Sequence, residues 1–357
     1  MLYITIITID TIGLLNDAKL YKKYFKKYFK HYNKKYLIEI ITNIKDINSR
    51  TNIILYLEQI LNTEILDNIN ILKIFMPNHE LFKNEMQFNL LKKINLILCK
   101  THISYKFFKY IKKEHLLTFK IIYTNMTTII PKNMKNINIQ KDPNLFVLFA
   151  GTSRFKNVAV VINNWISNRC YINLDPDIKL IITCRNYCFS NAKKELKEYF
   201  NFDISKFKIQ DNKIVYKNMT IYLDKIDEKT YYNLMRIANV AICISSKEGF
   251  GHYINEARYY NTFVITNNAE PMNNLINKNN GYLIDNLNKI DQNITFTKFK
   301  LYSVYPNNNE VSEAIIYCIK NKNSLNHDSY KYFKKDLKIF RNKIKNKVIP
   351  YLIKNIK

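Results

Sequence analysis

Glycine is almost missing from this sequence: 5 residues in 357, where average usage is about 7%. Each glycine present therefore had alternatives and carries information. Tryptophan occurs once and proline 7 times. Carboxylates are short, with 29 Asp and Glu against 56 Lys and Arg, a formal net charge of +27. No apolar run approaches the roughly 20 residues of a membrane-spanning helix, so membrane contact is expected to be peripheral. The opening segment MLYITIITIDTIGLL lacks a basic leader and a small-residue cleavage site, and reads as a first β-strand rather than a signal peptide. None of the 6 cysteines pairs at zinc-ribbon spacing. Several lie in apolar runs such as VAICIS and NLILC and read as buried free thiols. That fits a reducing compartment, and a cytoplasmic location is expected. There is no internal repeat.

What remains is the composition of a soluble globular protein, 47% hydrophobic and 24% charged. At 357 residues the chain suggests two domains. Heavy use of Lys, Asn, Ile and Tyr resembles the codon bias of an AT-rich genome, such as that of a virus or parasite. The charge favours an anionic partner: nucleic acid, an acidic membrane surface or a phosphorylated substrate.

Short β-branched runs alternate with helical patterns. Strands are predicted at YITIITI, YLIEIIT, NIILYL, ILKIFM, NLILC and FKIIYT, then at LFVLFA, IKLIITC, MTIYL, NVAICIS and TFVIT. Uninterrupted apolar strands separated by helices indicate parallel sheets covered on both faces. Two such series indicate two Rossmann-like α/β domains. The polar stretch from Pro131 to Pro143 marks the boundary. The expected organisation is an N-terminal domain at 1–135, a C-terminal domain at 144–322, and a tail at 323–357. The tail is read as helix with a break at Pro350, packing back toward the N-terminal domain.

In open parallel sheets, ligands bind beyond the carboxyl ends of the strands. Gly13, Gly151, Gly249 and Gly251 all follow predicted strands; Gly281 precedes one and reads as a turn. The segment SSKEGFGHYINEA, 245–257, is the most informative. NVAICISS is the strand, KEGFG the turn and HYINEARYY the helix. Free amides at a helix start, approached through Gly249, Phe250 and Gly251, suit a diphosphate. Glu248 and Glu256, with seven residues between them, would repel phosphate. As carboxylates they can instead each accept two hydroxyl hydrogen bonds, which suits a sugar and a ribose flanking that diphosphate.

EGFGHYINEA resembles the Glu–seven residues–Glu signature of the retaining glycosyltransferases of family 4 (glycosyl transferases group 1), in a viral and eukaryotic-like subgroup with an EGFGHY motif. The likeness extends over about residues 145–285. LFVLFAGTSRFKN looks like that family's first C-terminal strand with a basic pair after the glycine. YYNLMRIANVAICIS looks like the helix and strand before the signature, and TFVITNNAEPMNNL and NNGYLID like the strand, loop and turn after it. His252 stands where an aliphatic residue is common, and Asn274 near a frequent Glu.

The resemblance implies a GT-B fold, with two Rossmann-like domains whose parallel sheets face across a cleft. It implies transfer from a nucleotide-sugar, a UDP- or GDP-sugar, with retention of anomeric configuration. The nucleotide-sugar is a co-substrate, so no cofactor and no metal are expected. By position Glu248 contacts the donor sugar and Glu256 the ribose, while Arg154 and Lys156 neutralise the diphosphate near Gly151. Gly13 looks like the family's glycine loop after strand one. In PNHE, His79 can hydrogen-bond the reacting sugar, which makes it, with Glu248, a candidate catalytic residue. Asn78 and Glu80, and Lys100 and Thr101 after NLILC, are candidates for meeting a glycan, glycoprotein or glycolipid acceptor.

The segment LYKKYFKKYFKHYNKKY, Leu20 to Tyr36, puts aromatics on one stripe and lysines elsewhere. It reads as the first helix of the domain with its aromatic face on the sheet, or as a basic surface for an anionic membrane or nucleic acid. Two rival functions share the fold: a DNA-modifying glycosyltransferase, which the charge invites, and a non-catalytic GT-B binding protein.

Overall fold

A computed structural model describes the chain except residues 33, 34, 62, 63, 138, 204, 206, 327 and 357, and describes residues 171 and 172 by their backbone only. The chain forms two compact units. The N-terminal unit comprises Met1–Ile129, Gln292–Leu301 and Lys334–Lys357; the C-terminal unit comprises Ile130–Asp291 and Tyr302–Phe333.

The N-terminal unit opens with β1 (Leu2–Ile7), α1 (Ile12–Phe29), β2 (Tyr36–Ile41), β3 (Ile53–Leu57) and β4 (Leu72–Met76). It continues with α2 (Glu85–Leu90), β5 (Leu96–Cys99), α3 (His102–Glu114) and β6 (Lys120–Tyr123). The strands make one sheet in the order β2-β1-β3-β4-β5-β6, every neighbouring pair parallel. Each lies within or across one of the six predicted apolar runs. β3, β4 and β5 are buried along their whole length, as strands covered on both faces must be.

Helix α1 buries the aromatic stripe as far as Phe29, while Tyr32 beyond it is exposed. Tyr21, Tyr24, Phe25, Tyr28 and Phe29 are all buried, while Lys19, Lys23, Lys26, Lys27 and Lys30 face water. Asn33 and Lys34 of the predicted segment lie outside the described residues. Gly13 departs from its expected place. It lies inside the first turn of α1, not in the loop before it, because the Thr11 hydroxyl caps the helix by accepting from the Leu14 amide.

The C-terminal unit runs through β7 (Asp142–Gly151), α4 (Val158–Ser167), β8 (Lys179–Cys184), α5 (Asn186–Phe200), β9 (Lys208–Gln210), β10 (Lys213–Tyr216) and β11 (Met219–Tyr222). Then follow α6 (Glu228–Ile237), β12 (Ala238–Cys243), α7 (His252–Tyr259), β13 (Phe263–Asn267) and β14 (Gly281–Ile284). The unit ends with β15 (Leu287–Asp291), β16 (Tyr302–Pro306) and α8 (Asn308–Lys320). The sheet order is β14-β13-β12-β7-β8-β11-β10-β9, parallel from β14 to β11 with an antiparallel edge of β10 and β9.

Gly281 is not a turn glycine. It is the first residue of β14, paired with Val264, and a Cβ there would stand 2.4 Å from the Val264 carbonyl oxygen and 2.5 Å from Ile276. Its role is close approach of two strands, which only glycine permits.

Three segments sort differently from the expected boundaries, the first being residues 130–135, which were expected in the N-terminal domain and belong to the C-terminal unit. Residues 292–301, within the stretch read as C-terminal domain, belong to the N-terminal unit. Phe296 stacks on Phe88 at 4.8 Å and meets Phe82 edge-on, and Phe299 packs on Phe107, so aromatic burial decides their place. The last helices are α9 (Ser329–Lys343) and α10 (Ile349–Asn355), joined by a π-helical turn at Ile344–Val348. The chain passes from the C-terminal to the N-terminal unit within α9, between residues 333 and 334. In the N-terminal unit Phe340 meets Tyr21 and Tyr24 edge-on, and the Arg341 guanidinium donates to the Tyr24 hydroxyl at 3.0 Å. Pro350 sits in the first turn of α10, directly after the π-helical turn, so the irregularity precedes the proline.

Candidate active site

In the C-terminal sheet β7 lies between β12 and β8. The strand order therefore reverses at β7 and β12, the switch point where open α/β sheets bind ligands. The turns after these two strands carry the residues singled out from the sequence, and buried hydrogen bonds lock them together. The Ser246 amide donates to the Phe155 carbonyl at 2.8 Å. The Asn157 side-chain amide donates to the Ile244 carbonyl at 2.6 Å. From the end of β13, Asn267 donates to the Ser245 carbonyl at 2.9 Å. Asn157 itself adopts a left-handed φ of 52°, a conformation Asn tolerates, and so turns the chain into α4.

Across this junction the Lys156 ammonium lies 2.5 Å from the Glu248 carboxylate. The same ammonium sits 3.5 Å from the ring centroid of Tyr253. The Ser245 hydroxyl bonds both the Glu248 carboxylate, at 3.2 Å, and the Tyr253 hydroxyl, at 2.6 Å. Burial pushes the Glu248 carboxyl up. The Lys156 charge and hydrogen bond, the Phe250 amide and Ser245 outweigh it and hold the group below the ordinary carboxylate range. Glu248 is thus a fixed anion with 12% of its side chain exposed.

Arg154 is exposed and lies against the Phe155 ring, 5.2 Å from its centroid. Gly151 ends β7 at a left-handed φ of 56° and is exposed. Gly249, Phe250 and Gly251 are buried. Gly251 is the N-cap of α7 at φ 93°, strongly disfavoured for a residue with a Cβ. Its Cβ would also press on Leu275 and Ile254 at 3.2 and 3.3 Å.

Glu256 sits one turn further along α7 and is 3% exposed. Its two carboxylate oxygens accept from the hydroxyls of Tyr231 and Tyr232, successive residues of α6. Burial raises its pKa; the neighbouring His252 and the two phenol bonds pull it back without cancelling that rise. Burial also lifts both tyrosines well above their ordinary value, so they remain donors. The two glutamates therefore differ: Glu248 is ion-paired and its pKa is held down, while Glu256 is deeply buried and its pKa is raised. Tyr231 and Tyr232 were not singled out from the sequence; two adjacent tyrosines in a tyrosine-rich chain give no signal of their own.

Further along the same edge, the turns after β7, β8 and β11 border an open pocket of about 610 Å3 lined by Thr152, Arg185, Asn186, Leu223, Asp224 and Lys225. Among the described residues no group of three or more His, Cys, Asp or Glu is arranged to hold a metal ion.

In the N-terminal unit the candidates after β4 and β5 also meet. The Lys100 ammonium, 4% exposed, donates to Asp17 and to the Asn78 side-chain oxygen, both at 2.6 Å. The Asn78 amide in turn donates to Glu58 at 2.9 Å. Asp17 and Glu58 were not read from the sequence, since nothing local marks a carboxylate that faces residues 83 and 20 positions away. His79 and Glu80 are buried, with the His79 Nδ1 3.5 Å from a Glu80 carboxylate oxygen. The Thr101 hydroxyl caps α3 by accepting from the Ser104 amide at 3.3 Å.

The profile of the family described as glycosyl transferases group 1 matches residues 129–335. No curated protein matches the chain at a significant level. Among solved structures it is similar to the Anabaena protein HepE in complex with UDP and glucose, at 13% identity and a TM-score of 0.61, over 99% of this chain and 100% of that one. It is similar also to a glycosyltransferase from Rickettsia africae, at 13% identity and a TM-score of 0.61, over 100% of this chain and 99% of that one. A third is the sucrose-phosphate synthase of Thermosynechococcus elongatus, at 10% identity and a TM-score of 0.60, over 100% and 99%. These likenesses show the GT-B fold. The family profile spans more than half of the chain, and the protein belongs to the glycosyl transferases group 1.

Proposed function

We propose that this protein transfers a sugar from a UDP- or GDP-sugar to a hydroxyl of a glycan, protein or lipid acceptor, with retention of anomeric configuration and without a metal ion. The observation that carries this reading is the Lys156–Glu248 pair, joined across the switch point of the C-terminal sheet. It sets a cation for a diphosphate beside a fixed anion for sugar hydroxyls. The UDP and glucose held by the Anabaena protein support a donor of this class.

In the reaction the bond from the anomeric carbon to the diphosphate oxygen breaks, the acceptor oxygen bonds to that carbon on the same face, and the acceptor's hydroxyl proton passes to the departing diphosphate oxygen. Negative charge grows on the departing diphosphate, and Lys156 and Arg154 stabilise it. Glu248 orients the donor sugar, and Glu256 holds the ribose from the start of α7. Six buried free cysteines fit a reducing, cytoplasmic setting for the reaction.

The test is a pair of variants. Glu256→Ala is expected to weaken donor binding about tenfold or more, because hydrogen bonds to a carboxylate contribute about 1.5–3 kcal/mol each. Glu248→Ala is expected to lower kcat with a smaller effect on donor binding. NMR of the product's anomeric proton reads retention. Full activity in both variants, or an inverted product, would sink the assignment.

A further inference from the structure

Four side chains converge at the carboxyl edge of the N-terminal sheet, each from the chain that follows a different strand. Asp17 lies on α1 after β1, Glu58 follows β3 directly, Asn78 follows β4, and Lys100 follows β5 directly. They form one continuous chain of hydrogen bonds, Asp17–Lys100–Asn78–Glu58. Its polarity is fixed. An ammonium can only donate, so the Asn78 oxygen must face Lys100 and its amide must face Glu58. Asp17 and Lys100 are 1% and 4% exposed and close the buried end. Glu58 is the half-buried end, and its second carboxylate oxygen makes no hydrogen bond among the described residues.

The sheet order places β1 beside β3 although β2 lies between them in sequence. Asp17 and Glu58 therefore flank this sheet's own switch point, where ligands bind. The open end of the chain is thus a carboxylate, Glu58, in a protein of net charge +27. Such a site receives O–H donors and repels phosphate.

We propose that Glu58 binds the acceptor, and that the acceptor presents there a neutral sugar hydroxyl, not a phosphate; Asn78, Lys100 and Asp17 are positioning residues that hold the Glu58 carboxylate. This rests on the transferase reading above and adds the chemical class of acceptor. It also separates acceptor binding from the chain's basic character, which the sequence alone ties to an anionic partner.

The experiment uses the full chain and reads binding without turnover. Methyl α-glucoside, α-galactoside, α-mannoside and N-acetylglucosaminide are titrated by saturation-transfer NMR, with inorganic phosphate as a competitor. The same samples are tested for UDP and GDP binding by thermal shift. At least one glycoside is expected to bind the wild type and to resist phosphate. Glu58→Gln keeps the side chain's size and an oxygen for the Asn78 amide. It is expected to weaken that glycoside at least tenfold, with Tm and nucleotide binding unchanged. Asn78→Ala is expected to weaken the glycoside less. Equal glycoside affinity in wild type and Glu58→Gln overturns the proposal, as does displacement by phosphate or the absence of glycoside binding to the wild type. Failure of nucleotide binding in the same samples would instead count against the donor reading alone.

Discussion

Glu256, a candidate site residue, carries a cost to the fold. Its carboxyl is buried between two phenols, and its pKa is raised. The unfolded chain releases this proton near the ordinary carboxylate pKa of about 4.3, while the folded protein keeps it to higher pH. Between those two values the folded state binds more protons, so the stability Glu256 contributes is present at low pH and lost as pH rises through its folded pKa. Glu248 has the opposite sign. Lys156 depresses its pKa, so its contribution is present above the ordinary value and lost as pH falls through the folded one. Glu256→Gln removes the first effect and keeps an oxygen for Tyr231 or Tyr232. Its Tm is expected to exceed that of the wild type at neutral pH, with the difference shrinking toward pH 4, while donor binding weakens. A Tm difference independent of pH would show that Glu256 carries no such linkage.

Among the elements, Gly281 offers the sharpest test, because a strand glycine that contacts a neighbouring carbonyl leaves no room for adjustment. Gly281→Ala places a methyl 2.4 Å from backbone, and overpacking of this kind costs about 1–3 kcal/mol. Thermal unfolding should show a clear fall in Tm, and an unchanged Tm would mean that β14 shifts freely. The sequence disguised this residue: NNGY has the composition of a turn, and only the pairing of β14 with β13 shows why glycine is needed. The parallel strands were legible because buried strands are apolar throughout. The hairpin of β9 and β10 was not. It is exposed along β9 and at alternate residues of β10, and it turns on Asp211 and Asn212, both at positive φ, without the Asn-Gly or Asp-Gly pair that marks such turns. The β15–β16 pair has the same weakness, being mostly polar and partly exposed along β15. In the candidate site, Glu248 and Glu256 stood out because a rare glycine cluster and a fixed spacing mark them, and Lys156 because LFVLFAGTSRFKN resembles the family's first C-terminal strand with its basic pair. Asp17, Glu58, Tyr231 and Tyr232 did not, because their partners lie in other segments and only the fold brings them together.

At the scale of the whole molecule, the charge of +27 and the local chemistry point in different directions. The aromatic face of α1 is spent on the core, which leaves its lysines as solvated charge; the cations at the candidate donor site, Lys156 and Arg154, are a separate and smaller set. A net positive field draws anions toward the protein, whereas the candidate site residues are a few fixed groups at the carboxyl ends of the strands in each sheet. The central claim is that the C-terminal unit holds a nucleotide-sugar through Glu248, Glu256 and Lys156. The most direct measurement is a thermal-shift and hydrolysis screen of UDP- and GDP-sugars in the presence of EDTA, with Glu256→Ala as control. The account predicts that one donor raises Tm, that this donor is slowly hydrolysed, and that both effects are lost in the variant. No shift and no hydrolysis with any of these donors, or a shift that persists in Glu256→Ala, would contradict it.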